Sequence, residues 1–207
     1  MIWTVEPFRL EHVEASVAIH RRAFPSFFLT GLGTAFLKEF YTSFLADDAA
    51  IGFVAVDGHG RVGGIVVGTT QPAGYFRRLL WRRWWAFAAA SLAALLRKPT
   101  IAGRLVRAIF YRGSCPPGVP RSLLSSIAVA PELQGQGLGT ALVRAFLEEA
   151  RARGSLGCYL TTDAANNDST LRFYHRLGWR LESVYRTPEG RAMHRYVLDF
   201  FVAKKAG

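Results

Sequence analysis

The chain has 207 residues, half of them apolar, and this predicts a single domain over residues 1–207 with a substantial core. Its formal net charge is +11, and its two cysteines are too few for a disulfide framework and match no metal-ligand spacing, so we expect a reducing compartment and no metal. The N-terminus lacks the basic start and apolar run of a signal peptide, which favours a cytoplasmic protein.

The excess positive charge is confined to one segment. No acidic residue occurs between Asp57 and Glu132, and the eleven basic residues in that window account for the whole net charge. We therefore expect an acidic ligand or surface near this segment, with a polyphosphate ligand, nucleic acid and anionic lipid as alternatives.

The N-terminal third predicts a strand, two helices and a hairpin. Residues 2–5 form a short apolar run typical of an edge strand. Two helices follow from apolar spacing, the first ended by Pro25 and the second covering residues 32–44. The apolar positions of the first helix include His20. The β-rich runs on either side of residues 57–60 predict a hairpin over residues 50–70.

Residues 71–120 interrupt this alternation and predict an inserted pair of helices. The first helix ends at Pro99, and its uncharged run at 84–96 has 13 residues. A helix must supply about 20 apolar residues to cross a bilayer, so this run is too short to span one. The insertion packs on the domain or in a homodimer, or it is a membrane-surface element over residues 75–112 whose tryptophans and arginines suit anionic lipid. Nucleic acid is the least favoured partner, because a long apolar run separates the arginines.

The C-terminal half predicts a β-α-β unit followed by a helix and a second hairpin. Strands are expected at 123–129 and 156–162, and helices at 138–153 and 169–177. Gly178 is suited to end the last helix with a positive φ. The final strands are expected at 179–186 and 193–201. The fold class is therefore α/β, with a mixed sheet.

A glycine-rich loop precedes the helix predicted at 138–153. Gly135, Gly137 and Gly139 fail the dinucleotide fingerprint, because the sixth position is Thr140, and no lysine follows as a P-loop requires. What remains is a loop of bare backbone that exposes the amides and dipole of a helix N-terminus. Such a loop can bind an anion.

Two motifs identify a resemblance. The stretch SIAVAPELQGQGLGTAL, through Gln134, Gly137 and Gly139, resembles the acyl-CoA-binding motif of the GNAT N-acetyltransferase superfamily. The stretch NDSTLRFYHRLGW resembles the next motif of that family, on the positions Asn167, Thr170, Tyr174, Gly178 and Trp179. The resemblance implies a mixed central β-sheet flanked by helices, with the helical insertion placed between the third and fourth strands.

The resemblance also implies acetyl-CoA, or another acyl-CoA, as co-substrate. The loop amides are expected to hold the pyrophosphate and the preceding strand the pantetheine arm, and a valine at Gly137 is expected to weaken binding while leaving the fold largely intact. The residues assigned to the donor are Ile127, Ala128, Val129, Gln134, Gly135, Gln136, Gly137, Leu138, Gly139, Thr140, Asn167, Thr170 and Phe173.

For catalysis the resemblance implies direct transfer to an amine, with Tyr174 as the general acid for the departing thiolate. Asn167 is expected to bond the ligand or its loop, or to be a polar residue at a helix start. The expected strand at 123–129 carries no acid, so no general base is assigned; Asp163, His194 and Glu6 are candidates by residue type only.

The acceptor is expected between the turns at 24–31 and 185–194, as the family implies. It is an amine on a small molecule, an amino sugar or a peptide. Two alternatives stay open: a CoA-binding or sensor module without catalysis, and an enzyme peripheral to the inner face of the membrane that acts on a lipid-linked or amino-sugar acceptor.

Overall fold

Seven strands of the described chain form one sheet. The computed structural model describes residues 2–25, 27–75, 78, 120–165, 167–187 and 190–200. The strands are β1 Trp3–Pro7, β2 Ala50–Asp57, β3 Val62–Thr69, β4 Arg121–Val129, β5 Gly157–Asp163, β6 Arg180–Arg186 and β7 Ala192–Asp199. Their order is β1-β2-β3-β4-β5-β7-β6, and all neighbours are antiparallel except β4 and β5.

Five α-helices of the described residues flank this sheet. They are α1 Val13–Ala23, α2 Phe28–Gly31, α3 Thr34–Phe44, α4 Leu138–Ala152 and α5 Asp168–Arg176, with 3-10 turns at Leu10–His12 and Pro131–Leu133. The predicted strands and helices in these ranges are confirmed to within a few residues at each end. The short helix α2 was not predicted and occupies the expected aromatic turn.

The helices divide between the two faces of the sheet. One core cluster joins α1 and α3 to alternate residues of β2, β3 and β4, including Ala128. The other joins α4 and α5 to the opposite face, with Phe146, Tyr174 and Trp179 buried in it. Period-two alternation along each strand explains the division, because successive side chains point to opposite faces.

The parallel pair β4 and β5 separates after three residues. Arg121–Leu123 pair with Gly157–Tyr159, and beyond them, among the described strands, β4 pairs only with β3 and β5 only with β7. A bulge interrupts the β3–β4 register beside Gly68, where an added Cβ would lie 2.1 Å from the carbonyl oxygen of Leu123. Bulges increase local twist. The result is a gap, the β4–β5 splay, whose β4 side is formed by residues 124–129.

The predicted insertion lies almost entirely outside the described residues. Its described part is limited to residues 71–75, 78 and 120, among which Tyr75 is fully buried against Phe44. None of the helices within the described ranges has the length and apolar character needed to cross a membrane.

Candidate active site

The glycine loop exposes the N-terminus of α4. Gly135 and Gly137 have positive φ angles of 80° and 87°, and Gly137 is the N-cap. No side chain of the described residues caps this helix, and its first turn carries no acid. The amides of Leu138, Gly139 and Thr140 therefore have no intrahelical acceptor. Apart from Gly137 itself, its chain neighbours and the backbone of α4, no atom of the described residues lies within 4 Å of a Cβ added at Gly137, so an anion can reach these amides.

The two glutamines of the loop bond to its own backbone. Gln134 Nε2 donates to the carbonyl oxygen of Val129 at 3.3 Å, and Gln136 Nε2 donates to that of Glu132 at 3.2 Å. The Glu132 carboxylate in turn pairs with Arg22 on α1. These hydrogen bonds hold the loop between β4 and α4, and neither glutamine side chain occupies the amides at the start of α4.

The two sequence motifs meet at Gly139. A Cβ there would lie 3.4 Å from Cζ of Phe173 on α5 and 3.8 Å from Cγ2 of Val129. Gly139 therefore lets the Phe173 ring approach the start of α4, which brings α5 against the end of β4. Ile127, Ala128 and Val129 lie on the part of β4 beyond its pairing with β5.

Asn167 joins the end of β5 to the start of α5. Its Nδ2 donates to Thr162 Oγ1 at 2.7 Å and to the carbonyl oxygen of Asp163 at 2.9 Å. It occupies the N-cap position, yet its side chain does not cap the helix. Asn167 thus holds the end of β5 against the start of α5, at the edge of the β4–β5 splay. Thr170 lies one turn before Tyr174 on the same face of α5.

Tyr174 projects from α5 into an aromatic cluster. Its ring centroid lies 5.2 Å from that of Phe173 and 5.7 Å from that of Trp179, both in edge-on geometry. The residue is 4% exposed, and burial alone raises the pKa of its hydroxyl well above the usual range. The phenol is therefore protonated at neutral pH, as a proton donor must be.

The three residues named as candidate bases by type differ in position. Glu6 is on the edge strand β1, separated from β4 by β2 and β3, and bonds His12 at 3.2 Å, so naming it was wrong. Asp163 is held by two contacts of 2.6 Å to Arg191. His194 lies on β7 opposite Thr162, with its ring beside Tyr196, on the α5 side of the sheet.

Arg191 also joins the two turns expected to enclose the acceptor. Its guanidinium lies 6.0 Å from the ring centroid of Phe27 while it pairs with Asp163. The sequence offered no signal for this bridge, because its members come from three separate segments.

Burial raises the pKa of the Cys158 thiol to about 12, so this cysteine is not a nucleophile at neutral pH.

The model of the acetyltransferase (GNAT) family matches residues 17–179. The chain belongs to the acetyltransferase (GNAT) family. Members of this family use acetyl-CoA as co-substrate, and the uncapped helix, the open glycines and the free side of β4 fit that ligand.

One curated relative of this chain is also an acetyltransferase by name. N-alpha-acetyltransferase 30 of Schizosaccharomyces pombe is 34% identical over 80 residues, which are 38% of this chain and 53% of that protein. The match thus spans about half the length of that relative.

Two solved structures share the fold. The ribosomal-protein-S18-alanine N-acetyltransferase from Escherichia coli has a TM-score of 0.59 at 17% identity, with 100% of this chain and 99% of that chain covered. Ard1 from Thermoplasma volcanium has a TM-score of 0.62 at 14% identity, with 98% and 100% covered. They confirm the predicted GNAT-like mixed sheet.

Proposed function

We propose that the protein transfers an acetyl group from acetyl-CoA to an amine by direct attack in a ternary complex. The observation that carries this proposal is the β4–β5 splay beside the uncapped N-terminus of α4. A phosphate group at the helix amides and an extended arm along β4 bring a thioester into the splay, where both faces of the sheet can be reached.

The donor is held mainly by backbone. The amides of residues 138–140 bind the pyrophosphate, and the peptide groups of residues 127–129 bond the pantetheine arm as a missing strand would. Gln134 and Gln136 hold the glycine loop in place, and Asn167 holds the end of β5 against the start of α5. These three side chains support the donor site through the backbone that they position. Phe173 and Thr170 line the α5 side.

Tyr174 acts as the general acid. The amine nitrogen attacks the thioester carbonyl, a C–N bond forms and the C–S bond breaks. The phenol donates its proton to the departing thiolate sulfur, and the amine loses one proton to solvent or to a neighbouring group. A positioned acid contributes about 10² to 10⁴ in rate.

The acceptor that suits this site is the α-amine of a peptide. β4 carries no acidic residue, so an acceptor that is already partly neutral is favoured. At pH 7.4 an α-amine with a pKa of about 7.8 is roughly a quarter neutral, whereas a lysine with a pKa of about 10.4 is roughly a thousandth neutral. The similarity to N-alpha-acetyltransferase 30 of Schizosaccharomyces pombe supports the same choice.

The test is a transfer assay with matched peptides. The protein and acetyl-CoA are incubated with a peptide that has a free N-terminus and no lysine, with its N-terminally blocked copy carrying one lysine, and with an amino sugar; thiol release is followed. We expect acetyl-CoA to raise the melting temperature and the free α-amine to give the fastest release. Binding without transfer to any amine would instead support a CoA-binding module, and failure to bind acetyl-CoA would contradict the proposal.

A further inference from the structure

Asp163 lies at the wide end of the β4–β5 splay. It is the last residue of β5, whereas the pairing of β5 with β4 ends at Tyr159. The neighbouring Thr162 points toward α5, because its hydroxyl oxygen accepts a hydrogen bond from Asn167 at the start of that helix. Successive side chains of a strand point to opposite faces of the sheet. The Asp163 carboxylate therefore lies on the face opposite α5.

The acceptor has to approach the splay from this face. The open start of α4 and the donor residues of α5 lie on the other face, so the donor of the proposed reaction enters from there. Arg191, in the turn between β6 and β7, lies on the acceptor face. Its guanidinium contacts both Asp163 and the ring of Phe27, which lies between α1 and α2.

The guanidinium of Arg191 is held on two of its sides. Its Nε donates to one oxygen of Asp163 at 3.1 Å, and its Nη2 donates to both oxygens at 2.6 Å. The group also lies 6.0 Å from the centroid of the Phe27 ring. The backbone of Arg191 is fixed as well, because its amide donates to Thr187 Oγ1 at 3.3 Å and its carbonyl oxygen accepts from the Thr187 amide at 2.9 Å. Arg191 is therefore positioned before an acceptor binds.

One amino group of this guanidinium is left available. Nη1 lies away from the Nε and Nη2 edge, and it makes no hydrogen bond to a described residue. It carries two N–H donors in the plane of the group, and the Arg191 side chain is 44% exposed. Because the Asp163 carboxylate balances the charge of the guanidinium, the pair suits a neutral oxygen better than a second carboxylate. In a peptide that oxygen is a backbone carbonyl.

We propose that Arg191 Nη1 donates a hydrogen bond to a backbone carbonyl oxygen of the acceptor peptide and so selects a peptide over an amine without a carbonyl. Asp163 and Phe27 are positioning residues that hold the guanidinium in this place. This assignment rests on the proposed transfer to a peptide α-amine. It gives Asp163 a task other than that of general base.

The test compares a lysine-free peptide with β,β-difluoroethylamine. Fluorine makes this primary amine weakly basic, as an α-amine is, but the molecule has no carbonyl group. The readout is the selectivity ratio, which is kcat/KM for the peptide divided by kcat/KM for difluoroethylamine, with the acetylated products quantified by mass spectrometry.

For Arg191→Met we expect the selectivity ratio to fall about tenfold or more, because a charge-assisted hydrogen bond to the peptide is lost. The dissociation constant of acetyl-CoA should change by less than about twofold, since the donor binds on the other face. Arg191→Lys keeps the charge and loses the planar fork, so it should restore only part of the ratio.

Asp163→Asn separates positioning from proton transfer. Without the carboxylate the guanidinium is no longer held, so the selectivity ratio should fall as in Arg191→Met but by a smaller factor. Asp163→Glu keeps a carboxylate and should recover part of the ratio. A general base would serve both amines, so an equal fall of kcat/KM for both amines would contradict the positioning role.

The matched control is Arg153→Met, which removes a comparably exposed arginine that pairs with Glu149 at 2.6 Å at the end of α4. It should leave the selectivity ratio unchanged. An active wild type whose ratio is unchanged in Arg191→Met overturns this assignment alone. A wild type that acetylates neither the peptide nor difluoroethylamine overturns the proposed function and this assignment with it.

Discussion

The role proposed for Tyr174 depends on its surroundings as much as on its hydroxyl. Aromatic rings cover it, and burial raises its pKa, which keeps the proton on the phenol. The hydroxyl makes no hydrogen bond to another described residue, since burial is the only cause of the shift. Removing it should therefore affect the reaction more than the fold.

For Tyr174→Phe we expect kcat to fall tenfold or more, because a positioned general acid contributes about 10² to 10⁴ in rate, while acetyl-CoA binding and melting temperature persist. Steady-state kinetics measures kcat, and calorimetric titration measures the dissociation constant of acetyl-CoA. The matched control is Tyr196→Phe, in the same cluster, whose hydroxyl bonds His175 at 3.3 Å. It should leave kcat unchanged, and unchanged turnover in Tyr174→Phe would remove the assignment.

At the level of the element, α4 combines a packed body with an open start. Leu142, Val143 and Phe146 are fully buried and anchor the helix on the sheet, while its first turn remains uncapped. The sequence predicted that Gly137→Val would weaken binding and leave the fold largely intact. The φ of 87° adds a cost in stability to that substitution, because a β-branched residue in this region is strained by about 1 to 2 kcal/mol.

Gly137→Asn is the better probe, because asparagine tolerates a positive φ while its side chain enters the open space before the amides. We expect the dissociation constant of acetyl-CoA to rise tenfold or more with little change in melting temperature. Gly154→Asn is the matched control and should not alter binding, since its φ is 82° and an added Cβ meets no atom of the described residues within 4 Å beyond its chain neighbours. Equal affinity in both variants would contradict the proposed pyrophosphate site.

For the whole molecule, a charged cluster closes the end of the splay where β4 and β5 still pair. Arg121 is 6% exposed, and its guanidinium lies 2.7 Å from Asp199 on β7 and 2.9 Å from Glu182 on β6. Asp199 also pairs with Arg180 at 2.9 Å. This cluster ties β4 to the strands beyond β5.

Arg121→Met should lower the free energy of unfolding by about 2 to 3 kcal/mol, because two carboxylates lose a buried partner while Arg180 still pairs with one. The exposed ion pair of Arg9 with Glu11 offers a control, and Arg9→Met should cost less than about 1 kcal/mol. Urea unfolding measures both, and equal effects would contradict the role of the cluster.

The same cluster predicts a pH dependence. Hydrogen bonds from Arg121 are the main cause of the lowered pKa of Asp199. A lowered folded pKa contributes stability above the unfolded value of about 3.9, and this is lost as the pH falls through the folded pKa. The difference between wild type and Arg121→Met should therefore shrink below about pH 4, as unfolding curves between pH 3 and 7 will show; a constant difference would contradict it.

The sequence by itself determined the elements and the donor loop. Apolar periodicity located the helices and strands of the described chain, and the glycines at 135 and 137 indicated an open helix start, because both signals are local. The family motifs added Tyr174 and Phe173. The acceptor side could not be predicted in this way.

Only the tertiary structure decided which residues from distant parts of the sequence are neighbours. The strand order places Glu6 on the edge strand β1, two strands away from β4. The bulge beside Gly68 accompanies the divergence of β4 from β5. The hydrogen bond of His20 with Tyr41 and the ion pair of Arg22 with Glu132 join residues far apart in sequence. Such contacts depend on how whole elements pack, and no local spacing records that packing.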